Sequence, residues 1–242
     1  MKKADFSKNK TFVEEQKMSK SSQRKEIFTQ SNVDTGHASL DISRTLAREL
    51  FTCRSRPWEA LYSLHEFIRT IGPTLPFDQY DEVSENVWVH VSAYLAPTAK
   101  LQAPAIICGG ARISHASFVA GSIVGAFSTV GEFTSLKNSI AFDRTRLFGH
   151  NDISFSIMGY NCSIGSGSML PCARLDGANI LFDMPEGVYI SGKTTLGSVI
   201  CDGARIGALS VINPGSVIDS DAVIPPMSSI SGYVYPFTNA KR

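Results

Sequence analysis

The chain has 242 residues, 43% of them hydrophobic and 19% charged, with five cysteines and a formal net charge of +1. This is the make-up of an ordinary globular protein of one or two domains. It creates no overall field that would attract nucleic acid or an anionic membrane, so neither is expected as a partner.

Charge is unevenly placed: residues 1–44 carry nine Lys/Arg against six Asp/Glu. The opening MKKADFSKNKTFVEEQ is basic, but no apolar run comes after it, so a secretory leader is not expected. No stretch approaches the ~20 apolar residues that span a bilayer. Residues 1–40 hold few large apolar side chains and cannot offset the entropy of ordering, which predicts a flexible polar tail. Acidic residues interleave with the basic ones there and no aromatic stacking pattern accompanies them, which argues against a nucleic-acid arm. The cysteines (Cys53, Cys108, Cys162, Cys172, Cys201) form no C-x-x-C pair and several sit among apolar residues. Buried reduced thiols in a cytoplasmic protein are expected.

Residues 41–86 read as a helical N-terminal segment that packs on the domain C-terminal to it. Asp41 can cap a first helix running to Phe51. Pro57 suits the first turn of a second helix. Trp58, Leu61, Leu64, Ile68 and Ile71 then fall on one face at three- and four-residue spacing, and Gly72-Pro73 ends it. His65, on this helix, reads as a surface or core residue.

The period then changes to six. Aliphatic residues recur at Val89, Leu95, Leu101, Ile107, Ile113 and Val119, slip by one to Val124, and continue through Val130 and Leu136. Phe142 and Phe148 extend the series loosely, and it returns at Met158, Ile164 and Leu170. Ile190 and Leu196 come after a gap, and after a second slip come Ile200, Ile206, Ile212, Ile218, Ile224 and Ile230. Gly often succeeds the aliphatic residue, and a small residue often stands two places before it. Neither a helix nor a hairpin repeats every six residues. Stacked short strands do: each hexad gives one inward aliphatic residue and one tight turn, whose backbone angles Gly tolerates. Three hexads per coil predict an all-β parallel β-helix over residues 87–235, rising ~4.8 Å per coil through some seven coils. Phase breaks at 149–157, around His150, and at 171–189 predict loops that leave the prism, and loops on a rigid scaffold often carry function.

These hexads resemble those of the left-handed β-helix acyltransferases. The segments PWEALYSLHEFIRTIGPTLP, VWVHVSAYLAPTAKLQAPAIIC, VGEFTSLKNSIAFD and IGALSVINPGSVI are similar to the UDP-N-acetylglucosamine pyrophosphorylase-related proteins. They are similar also to the acetyltransferase domain of bifunctional N-acetylglucosamine-1-phosphate uridyltransferase. The resemblance spans residues 57–235 and implies a left-handed β-helix, an acyl-CoA co-substrate (acetyl-CoA), an amino-sugar or sugar-nucleotide-like acceptor, and a homotrimer with the cofactor between adjacent prisms. Phe118, Phe127, Phe133 and Phe155 are plausible residues of an associating face. The first 86 residues hold no glycine-rich phosphate loop, so nucleotidyl transfer is not expected.

The resemblance also implies site residues. Gly149-His150 matches the Gly-His pair that supplies the base, and an imidazole suits removal of an acceptor's proton near neutral pH. Ser166 and Gly167 lie in the matching I-G-x-G segment, and Ala208 falls where a backbone contact to the pantetheine arm would lie. Lys137 aligns with a lysine that helps hold the sugar phosphate. Asp176 and Asn179 belong to the D-G-A-N of the insertion. Lys193 and Arg205 are candidates for CoA phosphates by charge. Four positions depart from the pattern: Ala120 replaces an arginine, Arg174-Leu175 replaces Asn-Tyr, and Ile180 replaces a lysine. Arg174 offers a charge in exchange. His90, His115 and His150 lack the close pair that a three-histidine zinc site needs, so no metal is expected.

Overall fold

The computed structural model describes residues 39–52 and 54–236. The expected tail therefore lies outside the described residues up to residue 38, as does Cys53. Residues 87–234 wind into a left-handed parallel β-helix with three faces. The first face stacks eight parallel rungs, from Val87–His90 through Ala105–Ile107, Ile123–Val124 and Ile140–Ala141 to Tyr233–Val234. The second runs from Tyr94–Leu95 to Val223–Ile224 and the third from Lys100–Gln102 to Ser229–Ile230, with seven rungs each. Strand Tyr80–Ser84, which no sequence signal announced, pairs antiparallel with the first rung.

One aliphatic side chain per strand points inward, and these fill a continuous core that includes Ile107, Val124, Ala141, Met158, Ile200 and Ile218. The middle coils are 17 residues long, as Ile106, Ile123, Ile140 and Ile157 stand in register. The missing residue comes out of the corner between the third and first faces. This corrects the reading of the hexads. After Leu136 the inward residues are Ala141, Leu147 and Ile153, not Phe142 and Phe148. With that phase there is no break at 149–157: Asp152–Ser154 is a regular rung of the third face. Ile190 and Leu196 are also not core rungs. Ile190 is exposed and Leu196 packs outside the prism.

The glycines next to the inward residue serve a different end from the one expected. Gly131 and Gly165 have ordinary backbone angles, but a Cβ on either would press to within 2.8 Å of backbone in the next coil. Close approach of coils is what excludes a side chain there. The left-handed conformation falls later in each turn, where glycine and non-glycine residues alike adopt it. The recurring small residues satisfy corner amides. Along the second–third edge, Asn151 N–H donates to Thr134 Oγ1 (3.3 Å), Ser168 N–H to Asn151 Oδ1 (2.8 Å) and Ser210 N–H to Ser168 Oγ (3.3 Å). Buried backbone donors need such partners.

The N-terminal segment straps the first face. Asp41 caps a single 3-10 turn, Ile42–Arg44, rather than a helix to Phe51, and helix α1 covers only Arg48–Thr52. A 3-10 turn at Pro57–Ser63 leads into α2, Leu64–Ile71, and the turn Gly72–Thr74 ends it. Phe51, Trp58, Leu64 and Ile68 bury the outward residues Ile106, Ile123, Ile140, Ile157, Val199 and Val217. Side chains on both sides of this face are therefore core. The other two faces have no such cover among the described residues.

The insertion is longer than 171–189: the chain leaves the third face after Leu170 and rejoins the first at Val199. It carries a hairpin of Leu181–Met184 and Gly187–Ile190. The strap holds it, with Trp58 stacked on Phe182 at 3.7 Å and Arg56 paired with Glu186 at 3.2 Å.

Candidate functional site

The second–third edge is a column of turns whose third residue has positive φ: Ala116, Phe133, His150, Gly167, Leu209 and Met227. His150 (φ 63) is exposed, its ring stacked on Phe133 at 4.9 Å with 13° between planes. Its backbone N–H donates to Glu132 O, and its ring nitrogens make no hydrogen bond within the described residues. The column above it is occupied by Gly167, over which Leu209 leans. The residue before each of these corners is Gly149, Ser166 or Ala208. Among the described residues, these three amides donate to no protein acceptor, whereas the next amide in each turn is bonded to the coil below. Beside one free imidazole, therefore, small residues on three successive coils present unsatisfied N–H groups. Of the residues singled out in the sequence, this edge gathers His150, Ser166, Gly167 and Ala208.

The other candidates lie elsewhere. Lys137 is on the third face, in an ion pair with Asp152 at 3.3 Å. Arg174 and Asp176 pair with each other in the insertion at 2.6 Å, line an open cavity of about 730 Å³, and stand near the exposed Asn179. This pairing holds the Asp176 carboxyl far below the usual range through the Arg174 hydrogen bond. Arg205 is exposed on the second face. Lys193 sits at the base of the insertion, its ammonium 5.2 Å from the Tyr62 ring centre. Among the described residues of one chain, His150 and the insertion share no cleft. The insertion leaves from the third–first edge, and the strand Asp152–Ser154 separates that edge from His150. A three-residue strand alone spans about 10 Å of that separation.

His65, read from the sequence as a surface or core residue, is exposed. His65 Nε2 lies 2.6 Å from Asn138 Oδ1 on the third–first edge. No linear signal could have found this pair, 73 residues apart. His90 and His115 are engaged separately, with Ser92 and Thr98. Among the described residues, no cluster of His, Cys, Asp or Glu is placed to hold a metal ion. Nor is any described helix long and apolar enough to cross a membrane. The thiols of Cys108, Cys162 and Cys201 are buried and unpaired, and burial pushes Cys108 and Cys162 up to about 12. They stay protonated and are poor nucleophiles.

No protein-family model matches the chain. Among curated proteins it is similar to the bifunctional protein GlmU of Methanococcus maripaludis, 28% identical over 104 residues, which are 38% of this chain and 25% of that one. The GlmU of Methanococcus vannielii is 23% identical over 172 residues, 70% of this chain and 41% of the relative. The chain thus spans less than half the length of the curated relatives it matches. Among solved structures, the acetyltransferase domain of PglB from Neisseria gonorrhoeae with acetyl coenzyme A is 18% identical (TM-score 0.29; 55% of this chain, 53% of that chain). The N-acyltransferase AntD from Bacillus cereus, with dTDP and 3-hydroxybutyryl-CoA, is 18% identical (TM-score 0.32; 64% and 74%). PerB from Caulobacter crescentus, with CoA and GDP-perosamine, is 14% identical (TM-score 0.29; 62% and 51%). The fold is a hexapeptide-repeat β-helix.

Proposed function

We propose that this chain is a cytoplasmic acyltransferase that moves an acyl group, acetyl in the first instance, from CoA to an amino sugar or sugar-nucleotide-like acceptor. The observation that carries the proposal is the exposed, unbonded imidazole of His150 beside the free amides of Gly149, Ser166 and Ala208. A pantetheine arm is itself a chain of amides, and a row of N–H donors one coil apart suits its carbonyls. His150 would take the proton from the acceptor's amine or hydroxyl as that atom attacks the thioester carbonyl. A free amide would hold the resulting oxyanion. Collapse of the tetrahedral adduct breaks the C–S bond, and the imidazolium returns its proton to the leaving CoA thiolate. Ser166, Gly167 and Ala208 would line the CoA path, with Arg205 toward its phosphates. Lys137, Arg174, Asp176 and Asn179 would face the acceptor.

His150 and the insertion occupy different edges, so this reading requires a second copy to bring them together. Along the His150 edge, Phe133, Leu209 and Met227 are 59–68% exposed. Apolar exposure of this kind favours association, in which each prism would set its His150 edge against a neighbour's insertion to form a homotrimer. The test mixes purified protein with acetyl-CoA and a panel of amino sugars and tracks free thiol. Release with at least one acceptor is expected. No release with any acceptor, together with no CoA protection against thermal unfolding, would overturn the reading.

A second reading is a β-helix that binds or scaffolds without turnover. Three substitutions favour it. Ile180, where the resemblance calls for lysine, is a fully buried core residue, Leu175 projects into solvent, and Ala120 carries no charge. CoA binding without turnover would decide for it.

A further inference from the structure

We propose that the cavity between α2, the base of the insertion and the third–first edge is a second ligand site, for a small organic anion. Its charged end would meet Lys193 and His65, and its apolar body would rest on Leu61, Phe155 and Leu196. The cavity is about 270 Å³ and is walled by three separate parts of the chain. This is just under the roughly 300–1,000 Å³ typical of small-molecule pockets, which sets the occupant at the size of a small metabolite.

Its lining has a defined polarity. Leu61, Leu196 and the Phe155 ring form an apolar wall, while Lys193, His65 and Asn138 supply the polar end. No carboxylate lines it, and Lys193 forms no ion pair among the described residues. An ammonium with no counter-charge at the mouth of an apolar hollow is a place for an anion, because charge-assisted hydrogen bonds are the strong ones and apolar walls strengthen them. The imidazole is held in place. Asn138 Oδ1 can only accept, so His65 Nε2–H donates to it at 2.6 Å, and Nδ1, an acceptor in the neutral ring, donates to an anion from the imidazolium. The coil beneath accommodates this pair: Gly121, at φ 59, has no Cβ, and one would overlap both Asn138 Oδ1 and His65 Nε2. The Tyr62 hydroxyl, on the 3-10 turn before α2, is committed to Ser191 O at 3.1 Å, which ties this wall to the insertion wall. Within one chain the site stands on the opposite edge of the third face from His150, and its occupancy can be read without turnover.

The test uses three probes on the full chain: butyrate, phenyl phosphate and butylammonium. Binding is read through the His65 imidazole resonances and through thermal unfolding. Either anion should shift the His65 signals and raise Tm, and the tighter of the two identifies the anionic group. Butylammonium should do neither. Lys193→Gln, at an exposed position, should weaken anion binding about tenfold, the loss of one charge-assisted hydrogen bond. The third-face control Lys100→Gln should leave binding unchanged. His150→Ala should also bind normally, which keeps failure of this site distinct from failure of the acyltransferase reading. The proposal is overturned if neither anion perturbs His65, if butylammonium binds as well as the anions, or if Lys193→Gln binds like the parent.

Discussion

At the scale of single residues, the backbone of His150 is not what sets it apart. Its positive φ is shared by Phe133, Leu209 and Met227 on the same edge, so the conformation is a demand of the corner. What distinguishes it is an accessible ring with a fixed face against Phe133. Replacing it by glycine removes the left-handed strain, ~1–2 kcal/mol, and also the ring stack, ~0.5–1.5 kcal/mol. His150→Gly should therefore keep its urea-unfolding stability within about 1 kcal/mol of the parent. Its thiol release from acetyl-CoA should fall by ~10²–10⁴. A large stability loss would mean that the histidine is structural. Asp202 behaves differently. Burial pushes its carboxyl up to about 6, against the partial relief of the Asp41 and Tyr160 amides that donate to it. The folded state thus holds this proton more tightly than the unfolded chain does. Its contribution to stability is full below the ordinary value of 3.8 and is lost as pH rises through about 6. Urea midpoints of Asp202→Asn between pH 4 and 6 should fall less steeply with pH than those of the parent.

At the scale of elements, the strap is a second core layer. Phe142 shows how it is built: it sits one residue past the inward Ala141, fully buried, with its ring edge-on to Phe51 at 5.5 Å. Phe142→Ala should cost about 3–5 kcal/mol in urea unfolding, the cost of an emptied aromatic site. Were Phe142 a loosely packed corner residue, the change would be near 1 kcal/mol or less. Trp58 has a more local task, clamping the hairpin through Phe182. Trp58→Ala should speed hydrogen exchange at Phe182 and Tyr189 far more than at Ile123 and Ile140, where the β-helix ladder persists.

At the scale of the whole molecule, the described β-helix is a stack in which each coil leans on the next. Coils at the end of such a stack have one neighbour and open at lower cost. Amide exchange should therefore be faster in Tyr233–Val234 than in Ile157–Met158, with a gradient between them. Uniform protection would point to a single cooperative block. Association belongs to this scale too. A protein whose His150 edge is covered by another copy should sediment as a trimer, and a charge at Leu209 should reduce that species together with thiol release.

The β-helix itself was legible in the residues because its rule is local: one inward aliphatic side chain per strand repeats along the chain whatever lies outside. The same locality explains the error at Phe142 and Phe148. A phenylalanine at the sixth position looks like a core rung until the five-residue corner is known, and only the register of Ile123, Ile140 and Ile157 shows that corner. The Gly149-His150 pair could be singled out by resemblance, but its place on a regular turn rather than in a loop could not. Tertiary structure alone decided which outward face is covered, that His65 meets Asn138, and that His150 and the insertion stand on different edges. Each of these depends on segments distant in sequence packing together, and the sixfold pattern describes only what points inward.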